Sequence, residues 1–173
     1  MIPRLALFLF FVFLLEGSLA VWLLPQTWGS PFVVMPQWVL PGIVAAAEDL
    51  DERALMLTGA GFGLLHDIVY GPAIGIHAFC TGAAAWLSAK AAREFPPVGW
   101  LTGLTAASVL FVWFLMVYGW MVLFGFTAVS FDEALFFHIM PSVLFDAVTG
   151  YPVSKGVSML LPGKRNLPIQ LFR

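Results

Sequence analysis

Residues 98–126 read VGWLTGLTAASVLFVWFLMVYGWMVLFGF, a stretch without one charged side chain. A membrane helix needs about 20 mostly apolar residues to cross a hydrocarbon core roughly 30 Å thick, so this run can cross with considerable tilt. Leu5 to Leu24 is a second such run, ending at Pro25-Gln26-Thr27. Arg4 ahead of it gives it the look of a signal peptide, but the carboxylate of Glu16 inside it argues for a retained membrane helix. Four more apolar runs fill the rest of the chain. Phe32 to Ala47 is short and holds Pro36 and Pro41, which predicts a kinked or tilted crossing. The acidic stretch Glu48-Asp49-Leu50-Asp51-Glu52-Arg53 forces a polar loop. Ala54 to Tyr70 is closed by the breaker pair Gly71-Pro72, and Ala73 to Ala89 exits through Lys90 and Arg93 to Pro96-Pro97. Ala134 to Leu161 is interrupted by Pro141, Gly150 and Pro152, so a kink is expected there.

The expected architecture is therefore all-α: one transmembrane domain over residues 1–173, with about six helices near 5–24, 32–47, 54–70, 73–89, 98–126 and 134–161. Composition agrees. Of the 173 residues 61% are hydrophobic and 10% charged, with a mean hydropathy of +0.93. A soluble domain carries roughly 25% charged residues, so the surface implied here requires lipid. A net charge of −2 with eight Lys and Arg excludes a nucleic-acid surface. The single cysteine, Cys80, excludes a disulfide framework and a cysteine metal cluster within one chain.

Charge also tests the helix count. With a cytoplasmic N-terminus and six crossings, the cytoplasmic segments are the N-terminus, residues 48–53, residues 90–97 and the tail. Arg4, Arg53, Lys90, Arg93, Lys155, Lys164, Arg165 and Arg173 all fall there or at an adjoining helix end. The opposite loops, near 25–31, 71–72 and 127–133, hold none. This is the positive-inside pattern of an inner-membrane protein with both termini cytoplasmic. Dropping the short second run would split the basic residues across both sides.

Few polar residues remain to carry function. Gly59, Gly63 and Asp67 are spaced by four and share one helix face. The glycines let another helix approach closely, which puts Asp67 on that contact face rather than toward lipid. Glu16 and Asp146 are ionisable groups among hydrophobic neighbours, and each needs a partner, a proton or water. His138, Ser142 and Asp146 form a stripe spaced by four, read as an interhelical hydrogen-bond seam in preference to a cavity lining. His66 and Asp67 are adjacent and diverge by about 100° on a helix, so they cannot form a dyad; His77 lies past the Gly71-Pro72 turn and could fold back toward Asp67. No H-E-x-x-H, G-x-S-x-G or P-loop is present, and three scattered histidines match no metal-ligand spacing. Neither an enzyme nor a cofactor is expected. Trp22, Trp28, Trp38, Trp100 and Trp120 fall near helix ends, where indole rings anchor at the interface.

The segment Gly59-x-x-x-Gly63-x-x-x-Asp67, followed by Gly71, Ile74-Gly75 and the apolar run through Trp86 to Lys90, resembles the rod shape-determining protein family MreD. Chain length, helix order, the short second run, Glu16 in the first helix and Pro141 after His138 fit as well. The resemblance implies a non-enzymatic membrane subunit of the bacterial elongation machinery. Such a subunit pairs with MreC and through it with MreB filaments, the RodA glycosyltransferase and a class B penicillin-binding protein, helping control lateral peptidoglycan synthesis. Gly59, Gly63, Asp67 and Gly75 carry over as motif positions for helix packing or partner contact. The family's fold is similar to the S components of energy-coupling-factor vitamin transporters, which makes a substrate-binding S component the alternative. S components dock through small residues on the first helix, whereas Leu5 to Leu15 is bulky almost throughout. A third reading, an intramembrane enzyme or ion-handling protein, would need Glu16, Asp67, Asp146 and the histidines to converge on one cavity.

A phosphatase reporter fused after Lys90 or at Arg173 is expected to remain inactive in the cytoplasm. Activity on the outer side of the membrane would overturn the topology.

Overall fold

The computed structural model of the chain describes residues 2–95 and 99–161. Pro96, Pro97, Val98 and the tail with Lys164, Arg165 and Arg173 lie outside the described residues. Among the described residues there are six helices and no strand: α1 (Ile2–Leu23), α2 (Val39–Ala46), α3 (Glu52–Tyr70), α4 (Ile76–Glu94), α5 (Gly99–Leu123) and α6 (Phe131–Leu160). Trp100–Leu123 and Phe131–Leu160 are each long and apolar enough to cross a membrane. Bulky apolar side chains point outward on several helices, among them Leu7 and Phe11 on α1, Leu57 and Ile68 on α3, and Leu144 and Val148 on α6. Water does not support so much contiguous apolar surface. Lipid does.

The second run departs from the expected helix over 32–47. Only Val39–Ala46 is helical, eight residues or about 12 Å, too short to span. Residues 32–37 are not helical. Pro31 and Pro36 explain the change: each biases its preceding residue toward extended backbone, and Pro36 has no N–H to offer a helix. The combined segment still travels far. It runs alongside α6 in the same direction, from the Val33–Phe137 hydrogen bond to the packing of Gly42 near Val157. Phe137 to Val157 is about 30 Å of helix. An extended chain rises about 3.3 Å per residue, so half a helix plus half an extended stretch covers that depth in few residues.

α2 is the centre of the bundle. All eight of its residues are buried, and it packs on α6, α3, α4, α5 and α1. Pro41 sits in its first turn, where backbone N–H groups have no partner inside the helix, and is tolerated there. Gly150 on α6 leaves room for the Pro41 ring, and the Ser154 hydroxyl donates to the Pro41 carbonyl at 3.1 Å.

α3 and α4 form an antiparallel hairpin with the closest helix packing in the molecule. A Cβ on Gly59 would stand 2.7 Å from both the Thr81 carbonyl and the Ala85 methyl. One on Gly63 would collide with the His77 carbonyl and the Ala78 Cα. At the far end Glu52 pairs with Arg93 at 2.9 Å. α3 starts at Glu52 rather than Ala54 because Asp51 caps it, accepting from the Arg53 N–H. α4 spans Ile76–Glu94 rather than 73–89, and α6 begins at Phe131 with Ser130 as its cap. α6 continues through Pro141 and Pro152; its irregularity is a π turn at Leu135–Ile139. Of the tryptophans expected at the interface, Trp22, Trp28 and Trp100 are exposed, whereas Trp38 turns inward and donates to the Thr149 hydroxyl at 2.8 Å.

Replacing Gly63 by Leu forces α3 off α4 and is expected to cost at least about 1–3 kcal/mol. A lowered thermal unfolding midpoint in detergent checks it, with Gly61→Leu, where a Cβ meets open space, as the tolerated control.

Candidate functional site

Backbone N–H groups of a non-helical segment need acceptors, and at membrane depth the protein has to supply them. Every N–H from Val33 to Leu40 has one. Val33 donates to the Phe137 carbonyl at 2.9 Å, which Pro141, four residues further on, cannot engage because it lacks an N–H. Val34 pairs with the Gln26 amide in both directions, its N–H at 3.1 Å and its carbonyl at 2.8 Å, as in a strand. Met35 donates to the Ser142 hydroxyl at 3.0 Å, and Pro36 has nothing to donate. Gln37 donates to both oxygens of Asp146 at 3.1 Å. Trp38 and Val39 donate to Oε2 of Glu16 at 2.8 and 3.4 Å. Leu40 closes the first helical turn on the Gln37 carbonyl. Glu16 and Asp146 thus both stand at the N-terminus of α2, where the helix dipole also favours negative charge.

The structure brings Glu16, Ser142 and Asp146 together around one peptide segment. The seam read from sequence joins α6 to this segment rather than to a second helix. His138 departs from it: its carbonyl accepts the Ser142 hydroxyl at 2.6 Å, and its residue lines a cavity instead. Asp67 has a separate task. It accepts from the backbone N–H groups of Gly75, His77 and Ala78 at 2.8 to 3.0 Å and from Nδ1 of His77 at 2.9 Å. It is 2% exposed and ties the end of α3 to the start of α4. Gly75, with φ of 113°, makes the left-handed turn that brings these donors round. His66 and Asp67 do diverge, and His66 reaches back to α1, its Nε2 at 2.9 Å from Oε1 of Glu16.

Glu16, His66, His77 and His138 border a cavity of about 680 Å³ at the end of the bundle where α1, α3 and α5 finish and α4 and α6 begin. The size suits a binding pocket. Its walls are mostly apolar, including Val33, Met35, Trp113, Phe114 and Met121, with Glu16, His66, His77 and His138 among them. All three histidines of the chain therefore meet here, 72 residues apart in sequence at the extremes (138 − 66). His77 gives its Nδ1–H to Asp67, which leaves Nε2 as the nitrogen available to the cavity. The His66 and His77 rings lie 6.3 Å apart and nearly parallel. Among the described residues no group of three His, Cys, Asp or Glu side chains is placed to hold a metal. Of the groups that the enzyme reading needs in one cavity, Glu16 and the histidines line it, whereas Asp67 and Asp146 are not among its lining residues and accept backbone N–H groups instead.

A family described as rod shape-determining protein MreD matches residues 1–160. The chain belongs to the MreD family. No curated protein and no solved structure matches it. The matched span runs from α1 to the end of α6, so the extended segment, the α3–α4 hairpin and the cavity are all parts of an MreD-family fold. The membership makes it a rod shape-determining membrane protein. Sequence reading missed the Glu16–His66 pair and the Gln26 clamp on Val34. The signal was available in Pro31 and Pro36, which bracket a non-helical stretch inside an apolar run and so demand acceptors elsewhere.

Asp146→Ala leaves the Gln37 N–H without an acceptor and is expected to destabilise by about 1–3 kcal/mol. Asp146→Asn keeps a carbonyl oxygen at the same place and loses less. Thermal unfolding of the pair in detergent checks the order.

Proposed function

We propose that this MreD-family chain is a non-enzymatic subunit of the bacterial cell-elongation complex. It pairs with MreC in the inner membrane, with MreB, RodA and a class B penicillin-binding protein reached indirectly, and helps regulate lateral peptidoglycan synthesis. One observation carries the reading. Each buried carboxylate, Glu16, Asp67 and Asp146, is engaged by backbone N–H groups and so acts as a structural acceptor. What the molecule offers a partner is shape: a glycine-packed hairpin, apolar outer faces and a walled cavity. The basic residues Arg53, Lys90 and Arg93 lie at the opposite end from the cavity. By the positive-inside rule that orientation turns the cavity mouth outward, with both termini cytoplasmic.

The cavity also favours a second reading, a vitamin-binding S component, because its volume suits a small molecule. Against it stands the outer face of α1, where Leu7, Phe10, Phe11 and Leu14 are exposed rather than small. Affinity purification of the tagged chain from native membranes separates the two. MreC is expected among the co-purifying proteins. A transporter's shared membrane subunit and ATPases in its place, with tight vitamin binding by calorimetry, would overturn the elongation reading.

A further inference from the structure

The polar and aromatic groups of the cavity are unevenly placed. α1, α3 and α5 end at its mouth, so Glu16, His66 and Trp113, which precede those ends by one to three turns, stand on its floor. His77 joins them from the first turn of α4. On α5 the lining runs from Trp113 to Met121, about 12 Å of helix. The outer lining, with Leu24, Gln26, Met121, Thr127 and Val129, carries no charge.

Three features of the floor define what fits it. The rings of Tyr70, His66, His77, Trp113 and Phe114 form an unbroken series from α3 across α4 to α5, with successive centroids 5.9, 6.3, 5.7 and 5.0 Å apart. All five line the cavity, and their faces and edges favour another ring over a flexible chain. Gly17 on α1 makes room for the first of them, since a Cβ there would collide with the Tyr70 hydroxyl. The second feature is a hydrogen-bond acceptor. His66 spends both nitrogens inside the protein, on the Phe62 carbonyl and on Glu16. His77 gives only Nδ1–H, to Asp67, so Nε2 of its uncharged ring is left to accept a hydrogen from an occupant. The third feature is charge. Glu16 stands on the floor and Asp67 lies behind His77, while no Lys or Arg is among the described lining residues. A phosphate or carboxylate would meet repulsion there without a counter-charge. An acyl chain from the bilayer escapes the repulsion, but it has no ring to stack and leaves Nε2 of His77 unpaired.

We propose that the cavity binds one planar aromatic compound that presents an N–H or O–H to Nε2 of His77 and carries no negative charge. It enters from the side the mouth faces, donor end inward, and lies along the ring series. Val33 to Gln37 wall the same cavity, so the occupant packs directly on the extended segment. The site goes beyond the pairing with MreC and does not require it.

Equilibrium dialysis of β-carboline, a fluorescent planar tricycle with one indole N–H, against the full chain in lipid nanodiscs tests the site, with empty nanodiscs subtracted. Saturable binding of one molecule per chain is expected. The analogue methylated at the indole nitrogen is expected to bind at least about tenfold more weakly, and so is the analogue carrying a carboxylate. Val117→Trp fills the cavity and should abolish binding, whereas Leu57→Trp on the exposed face of α3 should leave it unchanged. His77→Phe keeps a ring and removes the acceptor, so β-carboline and its methylated form should then bind equally; if that variant does not fold, the Val117→Trp and Leu57→Trp pair decides. No saturable binding overturns the proposal. So does equal binding of all three compounds to the native chain, binding that survives Val117→Trp, or a lipid held at one per chain that β-carboline does not displace. No partner enters the measurement, so its failure leaves the MreC pairing standing and failed co-purification leaves the ligand site standing.

Discussion

A backbone N–H buried in the hydrocarbon layer has no water to bond, and leaving it unpaired costs as much as several good packing contacts gain. Helices meet the demand internally. The stretch from Val33 to Val39 cannot, because prolines hold its start extended, and the rest of the molecule is arranged around meeting that demand for it. Gln26 imitates a neighbouring strand, Pro141 leaves the Phe137 carbonyl open, and Ser142, Asp146 and Glu16 accept the remaining hydrogens. Elements far apart in sequence are thereby bound to one peptide segment. α1 and α6 hold the start of α2 through backbone N–H groups and pack on the rest of it through apolar side chains such as Leu9, Ile43 and Val157.

The α3–α4 hairpin solves a different problem with the same chemistry. Glycines bring two helix backbones into contact, which fixes the hairpin but leaves the N–H groups at the start of α4 open. Asp67 accepts three of them from the end of α3. A carboxylate at a helix start is favoured by the dipole as well as by the hydrogen bonds. The same device recurs at α2 with Glu16 and Asp146. The acids that look reactive in sequence are the ones that hold the fold.

With the carboxylates so engaged, the cavity is lined mostly by apolar side chains, with Glu16, three imidazoles and a few uncharged polar residues such as Gln26 and Tyr118 among them. Its wall is the least regular part of the bundle, an extended segment on one side and a π turn of α6 on the other. Irregular backbone inside a membrane protein is stable where it borders a cavity and is supported by its neighbours.

The amino-acid sequence by itself determined that this is a membrane protein, that Arg53, Lys90 and Arg93 fall at one end of their helices, and that Gly59, Gly63 and Asp67 face a close neighbour. These follow from composition and from the 3.6-residue period, which are local properties. Its 32–47 run was legible as the weakest helix, and Pro36 carried part of the reason, whereas Pro41 sits inside α2 without breaking it. Which donors Glu16, Ser142 and Asp146 would meet was decided only by the tertiary structure, as was the meeting of His66 with Glu16 and of all three histidines in one cavity. Pairing across 50 or 100 residues depends on how helices cross, and no local period encodes a crossing.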